Sequence, residues 1–395
     1  MTGSEYDDKG GRRAVLPPRL TVVEEPRPPE EQVDLTVSVV ICAYTEERWP
    51  LLMRSVVSVQ HQNRSPVEII VCVDHNDSLL ARCRQQWGDQ PDGPSVSMVV
   101  LANRYQGRLG SARNSAAEVA CGDIVAFLDD DAWADPDWLD RLLSPYDNES
   151  VVAVGGAPVP EFEGSRPGWF PFEFDWVFGC AYAGLPQQRA PVARLIGANM
   201  SVRRSALAEI GGFHSDNHDD MDMCHRLLHL RSADQIVYEP LARVHHFVPA
   251  ARTTWGYFWR RCFFVNKGKV AAFRQMEGAG NLSADVGFVG RALSCGVSRG
   301  LRQALRGDAW GVARAASILA GIVLAGSGHA AGRWELHRGQ PGKRVEGGRP
   351  DPGRFPGRGA PATGAASSDD FFDSPHTGEQ YDQLSFGRQA WLQNR

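Results

Sequence analysis

From residue 35 to residue 157 short apolar runs alternate with longer amphipathic ones, the order expected of repeated βαβ units and a mostly parallel sheet. Four runs read as buried strands: residues 37–43 (VSVVICA), 67–73 (VEIIVCV), 97–101 (SMVVL) and 124–128 (IVAFL), each ending in polar loop residues. Helices are predicted over residues 50–60, 79–87, 109–120 and 136–143, the last with Pro136 in its first turn. A further strand-like run occupies residues 235–238. Residues 313–326 (ARAASILAGIVLAG) are apolar but fall short of the roughly 20 residues a bilayer span needs, which predicts a buried or interfacial helix. The basic flank from Arg299 to Arg306 suits a helix lying against an anionic membrane face, and equally a solvated helix face.

Composition sets the outer limits of this picture. A chain of 395 residues with 43% hydrophobic residues can bury a substantial core. A formal net charge of -5 argues against binding nucleic acid by bulk electrostatics. Eight cysteines are scattered singly, with no pair at zinc-ligand spacing, which fits a reducing cytoplasm, at the membrane's inner face if the basic flank docks there. Residues 1–34 are polar and proline-rich, without the apolar core of a secretory signal, and read as a disordered leader; residues 338–395, rich in Gly, Pro, Arg and Ser, read as a disordered tail. Residues 35–275 are expected to form the folded domain, divided into halves 35–157 and 158–275, with 276–337 a helical extension near the membrane or free of it.

In an open α/β sheet ligands bind beyond the carboxyl ends of the strands, and here those positions are polar and acidic. Tyr44-Thr45-Glu46-Glu47 follows the first strand, Asp74-His75-Asn76-Asp77 the second and Asp129-Asp130-Asp131 the fourth. After the third comes Asn103 and then the loop Gly107-Arg108-Leu109-Gly110-Ser111-Ala112-Arg113-Asn114, which can bring backbone N–H groups and an arginine to a phosphate. Three successive aspartates repel one another unless a cation neutralises them, and magnesium or manganese favours such oxygen ligands; a solvated acidic turn is the alternative. Because side chains alternate along a strand, Asp129 and Asp131 can address one side together while Asp130 faces elsewhere.

These segments carry a family resemblance. The order TVSVVICAYTEE, VEIIVCVD and GRLGSARNSAAEVACGDIVAFLDDDAWADPDWL resembles the nucleotide-binding half of family-2 glycosyltransferases with the GT-A fold. Gly197-Ala198-Asn199-Met200-Ser201 with Arg203, Gly211-Gly212-Phe213, and Asp219 through Leu227 (DDMDMCHRL) are similar to the family's acceptor-side motif. The likeness spans roughly residues 37–269. It implies an α/β GT-A fold, a Rossmann-like central sheet flanked by helices, with the C-terminal helices as an extension. It implies a nucleotide-sugar donor, a UDP-sugar ahead of GDP- and dTDP-sugars, and Mn2+ or Mg2+ as cofactor. Tyr44, Thr45, Glu47 and Asp74 would surround the donor's nucleoside, Asp74 bonding the base, with Arg113 beside base and diphosphate. The family's DxD motif falls on Asp129 to Asp131, which makes Asp131 the direct metal ligand, Asp129 its companion and Asp130 a neighbour of the ribose.

An inverting transfer also needs a base to take the acceptor hydroxyl's proton. The family's ED motif falls on Asp219-Asp220, making Asp220 the candidate base, while Asp219 stands where the family more often has Glu; the other reading is an acidic helix N-terminus favoured by the macrodipole. Asp222 and Arg226, four apart, should form an intrahelical ion pair. Of His245 and His246, either could complete a metal shell or be a satisfied buried histidine, with His246 preferred for the metal. Residues 257–269 (YFWRRCFFVNKGK) suit a diphosphate or lipid phosphate, and also an ordinary amphipathic helix. The aromatic insert between residues 161 and 191 is either an acceptor lid or a small core layer.

Processive synthases of this family carry QxxRW and several membrane spans; the sequence has neither, so a single sugar addition to a lipid carrier, glycan or secondary metabolite is expected. A sugar-phosphate nucleotidyltransferase would need a glycine-rich basic loop after the first strand, where this chain is acidic. A non-catalytic nucleotide-sugar-binding protein would have no chemical reason to keep clustered carboxylates.

Overall fold

The computed structural model describes residues 35–88, 96–106, 109–214, 218–230, 235–275, 287 and 289–338; the predicted leader, the tail beyond 338, and Gly107 and Arg108 of the glycine-punctuated loop lie outside them. The predicted strands form as β1 (Val37–Ala43), β2 (Glu68–Val73), β3 (Ser97–Ala102) and β4 (Ile124–Asp129). Helices α1 (Trp49–Gln60), α2 (Asp77–Trp87) and α3 (Leu109–Ala117) follow the first three. Strand order β3-β2-β1-β4 is parallel throughout, so the carboxyl ends of these strands share one edge.

Period-two alternation divides the interior into two layers. On β1, Val39 and Ile41 face the core made with Leu52, Val56 and Val59 of α1, while Val40 faces the opposite core with Ala112 and Ala116 of α3. Burial on both faces is what makes these strands continuous apolar runs.

Beyond β4 the sheet becomes mixed. Strand β5 (Ala132–Ala134) leads to α4 (Trp138–Leu143), then come β6 (Val151–Phe162), the two-residue β7 (Ala190–Pro191), β8 (Asn199–Arg203), α5 (Arg204–Glu209), α6 (Asp219–Leu230) and β9 (Gln235–Val248). β8 lies antiparallel between β4 and β6, β6 pairs β9 in parallel, and β5 closes antiparallel on β9. Pro136 sits in a turn before α4 and not inside it, because Trp138 donates to the Asp135 carbonyl and the helix starts at Trp138.

The aromatic insert is a core layer. Phe170, Phe174 and Phe178 are fully buried against Phe258 and Cys262 of α7 (Trp255–Gln275) and Ile318. Past a π-helical turn (Ala292–Val297) run α8 (Ser298–Leu305) and α9 (Trp310–His337). The apolar stretch at 313–326 therefore belongs to a helix of 28 residues, long and apolar enough to cross a membrane by length and composition, with 33% of its most apolar window buried. Small residues let α9 press on its neighbours: a Cβ at Gly328 would stand 2.1 Å from the Phe263 carbonyl oxygen.

Candidate active site

The carboxyl edge of the parallel strands gathers the predicted residues. Tyr44, exposed, and Thr45 follow β1; the Thr45 hydroxyl accepts from the Glu47 N–H at 3.3 Å and caps a short 3-10 turn that leaves Glu47 in solvent. One strand over, the Asp74 carboxylate accepts from Asn103 Nδ2 at 2.7 Å and lies 2.6 Å from His75 Nδ1. Asn76 ties the two loops together, donating to the Tyr44 carbonyl at 3.0 Å.

The three aspartates fall on the end of β4 and the turn into β5, and the partner they need comes from β9. Ala132 pairs with His246 in that ladder and the Phe247 N–H donates to the Asp131 carbonyl, which seats His246 beside the turn. His246 Nε2 lies 3.2 Å from Asp131 Oδ1 and 3.8 Å from Asp129 Oδ2. One ligand atom from each of Asp129, Asp131 and His246 falls within 4.8 Å of the others, a set of two carboxylates and an imidazole that can hold a metal ion. His246 Nδ1 faces the buried Cys180 thiol at 3.6 Å, leaving Nε2 for the carboxylates. His245 points to the other side, stacked on Trp133 and 3.0 Å from Asp135.

Arg48, a residue the sequence reading passed over, reaches Asp130 at 2.9 Å and Asp131 at 3.1 Å. Its signal was there: one cation following Glu46-Glu47 at a strand end that faces three aspartates. Burial would raise the Asp131 carboxyl, but His246, Arg48 and Arg252 outweigh it and hold that carboxyl well below the usual range. The same pairing lifts His246 well above its ordinary value against the effect of burial. Asp130 has no such balance: burial pushes it up to about 7 in spite of Arg48, and its Oδ2 is buried without a hydrogen-bond partner among the described residues. An orphaned carboxylate oxygen beside two negatively charged neighbours is what a site shaped for a cationic or hydroxyl-bearing ligand would leave.

Arg113 joins this cluster to the acceptor-side motif. Its guanidinium, almost fully buried, donates to Asp219 at 2.6 Å, to the Gly197 carbonyl at 2.9 Å and, more weakly, to Asp129 at 3.4 Å. On the other flank of Gly197, the Asp220 carboxylate accepts from the Gly197 N–H at 3.0 Å and from the Met221 N–H at 2.7 Å. Burial raises the Asp219 and Asp220 carboxyls, with Arg113 opposing. The expected Asp222–Arg226 pair forms at 2.7 Å, and Arg226 also donates to the Ile210 and Gly212 carbonyls, tying α6 to the end of α5. Residues far apart in the chain thus meet in one acidic cluster: a metal-competent triad on one side of Arg113, and the buried Asp219 with the half-buried Asp220 on the other.

Residues 38–211 match the family described as Glycosyl transferase family 2. The chain is 32% identical over 245 residues to the glucosyl-dolichyl phosphate glucuronosyltransferase of Haloferax volcanii, an alignment covering 60% of this chain and 76% of that protein. It is 25% identical over 238 residues to the succinoglycan biosynthesis protein ExoM of Rhizobium meliloti, covering 58% and 72%. Among solved structures, the mannosyltransferase PcManGT from Pyrobaculum calidifontis in complex with GDP-Man and Mn2+ superposes with a TM-score of 0.47 at 18% identity, over 74% of this chain and 87% of that one. With its parallel sheet, its acidic strand-end cluster and this extent of relationship, the chain belongs to glycosyl transferase family 2 and is a glycosyltransferase.

Proposed function

We propose that this glycosyltransferase moves one sugar, with inversion, from a nucleotide-sugar donor to an acceptor hydroxyl, using Mn2+ or Mg2+. The observation that carries the reading is the meeting of Asp129, Asp131 and His246 with Asp219 and Asp220 around the single buried guanidinium of Arg113. Asp129, Asp131 and His246 would hold the ion; a nitrogen donor in the set favours manganese over magnesium, which prefers oxygen alone. When bound, the metal would offset the charge that develops on the departing nucleoside diphosphate.

The chain's own residues supply the rest. Tyr44, Thr45, Glu47 and Asp74, on the loops after β1 and β2, receive the nucleoside, and Asp130 meets the ribose. Asp220 takes the acceptor proton as that oxygen bonds to the anomeric carbon and the bond from this carbon to the diphosphate oxygen breaks. Its raised pKa makes it a better base than an exposed carboxylate. Arg113 opposes the effect of burial on Asp219 beside it and orients Asp129. Residues 35–157 form the donor half and 158–275 the acceptor half. The protein works on the cytoplasmic side, and the apolar exposed side chains Val312, Leu319 and Val323 of α9, next to the basic Arg299–Arg306 segment, draw it to the membrane surface. The Haloferax volcanii relative, named for its action on glucosyl-dolichyl phosphate, supports a lipid-linked acceptor.

The test is a thermal-shift screen against UDP-, GDP- and dTDP-sugars with and without manganese, since a ligand that binds only the folded state raises its melting temperature. One nucleotide class should stabilise the protein, and only with metal. Asp131→Asn should abolish that shift, whereas Asp220→Asn should keep it and lose at least about 100-fold in turnover. Near-normal turnover of Asp220→Asn would sink the base assignment, and no shift with any donor would sink the transferase mechanism.

A further inference from the structure

Arg48 stands between the acidic strand ends and solvent. It ends the short 3-10 turn after β1 and precedes α1, on a loop held in place by the Asn76 hydrogen bond to the Tyr44 carbonyl. Its Nη1 donates to Asp130 Oδ1 at 2.9 Å and lies 3.1 Å from Asp131 Oδ2. The Asp130 and Asp131 side chains are 5% and 4% exposed, whereas that of Arg48 is 23% exposed, so the guanidinium is the outermost of the three charges. Its Cζ lies 5.2 Å from the centre of the Tyr44 ring, which is itself open to solvent.

The contact leaves bonding capacity unused on both sides. Among the described residues the guanidinium donates a single hydrogen bond, from Nη1, although every nitrogen of an arginine carries donors. Asp130 Oδ2 is buried with no hydrogen-bond partner among the described residues, so the pair meets through one nitrogen and one oxygen and lacks the firmer two-pronged geometry. Asp131 is meanwhile claimed twice: it belongs with Asp129 and His246 to the metal-competent set, and it is an ion-pair partner of Arg48. A divalent ion and a guanidinium on one carboxylate repel each other at close range, and burial leaves little water to screen them. An anionic ligand with several oxygens removes that conflict, because it offers the guanidinium the bidentate partner that Asp130 does not.

We propose that Arg48 couples the binding of metal to the binding of the donor's diphosphate. With the site empty it neutralises Asp130 and Asp131. When a nucleoside diphosphate reaches from the loops after β1 and β2 toward Asp129 and Asp131, Arg48 pairs with its phosphate oxygens and Asp131 is left to the ion. Arg48 is in contact range of both ends of that path, Tyr44 and the aspartates. Arg113 cannot take this part, because its guanidinium is almost fully buried and already bonded to Asp219 and the Gly197 carbonyl. The inference rests on the transferase reading above and adds to it a donor-binding residue that keeps metal affinity low until the diphosphate is present.

The experiment measures Mn2+ affinity of the full chain from the EPR signal of free Mn2+, alone and with saturating UDP, GDP or dTDP, and nucleotide affinity by calorimetry at saturating Mn2+. Wild type should bind Mn2+ weakly alone and at least about tenfold more tightly with one of the nucleotides. Arg48→Gln should bind Mn2+ alone about tenfold more tightly than wild type, and that nucleotide about tenfold more weakly, each the size of one charge-assisted contact. Arg48→Lys keeps the charge and loses the fork, so its Mn2+ affinity should match wild type while its nucleotide affinity falls part of the way. Unchanged or weaker Mn2+ binding by Arg48→Gln, unchanged nucleotide affinity in that variant, or a wild-type Mn2+ affinity that a bound nucleotide does not raise overturns the coupling. Should Arg48→Gln not fold, Arg48→Lys decides, and a nucleotide affinity equal to wild type overturns it. Failure of the wild type to bind any nucleotide at saturating Mn2+ would instead overturn the transferase mechanism, so the two failures are separable.

Discussion

At the scale of single residues, the site is organised by cations that keep buried carboxylates in place. Arg48 and His246 serve Asp130 and Asp131, and Arg113 serves Asp129 and Asp219. His218 is the reverse case, a base held neutral by burial first and by the charges of Lys269, Arg261 and Arg194 after it. Its folded pKa of about 4 lies below the ordinary 6.5, so the unfolded chain takes up the proton first as pH falls. The stability it permits is complete above pH 6.5 and is lost on acidification toward pH 4, by up to about 3 kcal/mol. Asn tolerates the left-handed backbone that His218 adopts at φ 61, so His218→Asn should flatten the fall in Tm between pH 6.5 and 4 relative to wild type while leaving Tm at pH 8 nearly unchanged. Parallel Tm profiles for the two proteins would show that burial and the nearby cations do not depress the His218 pKa on folding.

At the scale of elements, α9 shows two effects of glycine that pull in opposite directions. Replacing an exposed helical glycine by alanine should gain about 0.5–1 kcal/mol through backbone entropy. Gly326 has nothing within 4 Å of its would-be Cβ, so Gly326→Ala should raise Tm. Gly328 faces the Phe263 carbonyl at 2.1 Å, where backbone must move, so Gly328→Ala should lower Tm by an amount equal to about 1–3 kcal/mol despite the same propensity gain. Equal effects at the two positions would mean that α9 does not pack on α7 at this separation. The same helix marks a limit of the local pattern: its apolar stretch was legible, but its length was not, because the Ala- and Gly-rich flanks become helical only when α7 offers them a surface.

At the scale of the whole molecule, the aromatic layer ties the insert, α7 and α9 to one another. Phe174 is fully buried, its ring centre 5.4 Å from that of Phe258, and it fills the space over Gly321. Phe174→Ala should cost about 3–5 kcal/mol in urea unfolding, because the fixed elements on three sides cannot all close the cavity. A loss below 1 kcal/mol would show that this layer contributes little to holding the C-terminal helices on the domain.

Much of the parallel half of the sheet was legible from sequence alone. Apolar runs bounded by polar loops specify β1 to β4 and their intervening helices, and the acidic strand ends that follow are local patterns that need no tertiary information. The Asp222–Arg226 pair is likewise a consequence of helical spacing. Tertiary structure decided what no local pattern holds. The register of β5 on β9 chose His246 for the aspartates and turned His245 to Trp133, since neighbouring side chains on a strand face opposite sides. The packing of α3 on β1 and β2 placed Arg113 between two carboxylates from distant segments, and the fold set the His218 ring against Gly268 of α7. These contacts join residues far apart in the chain, and their pairing follows from how sheet and helices close on one another, which hydrophobic periodicity within any one segment does not encode.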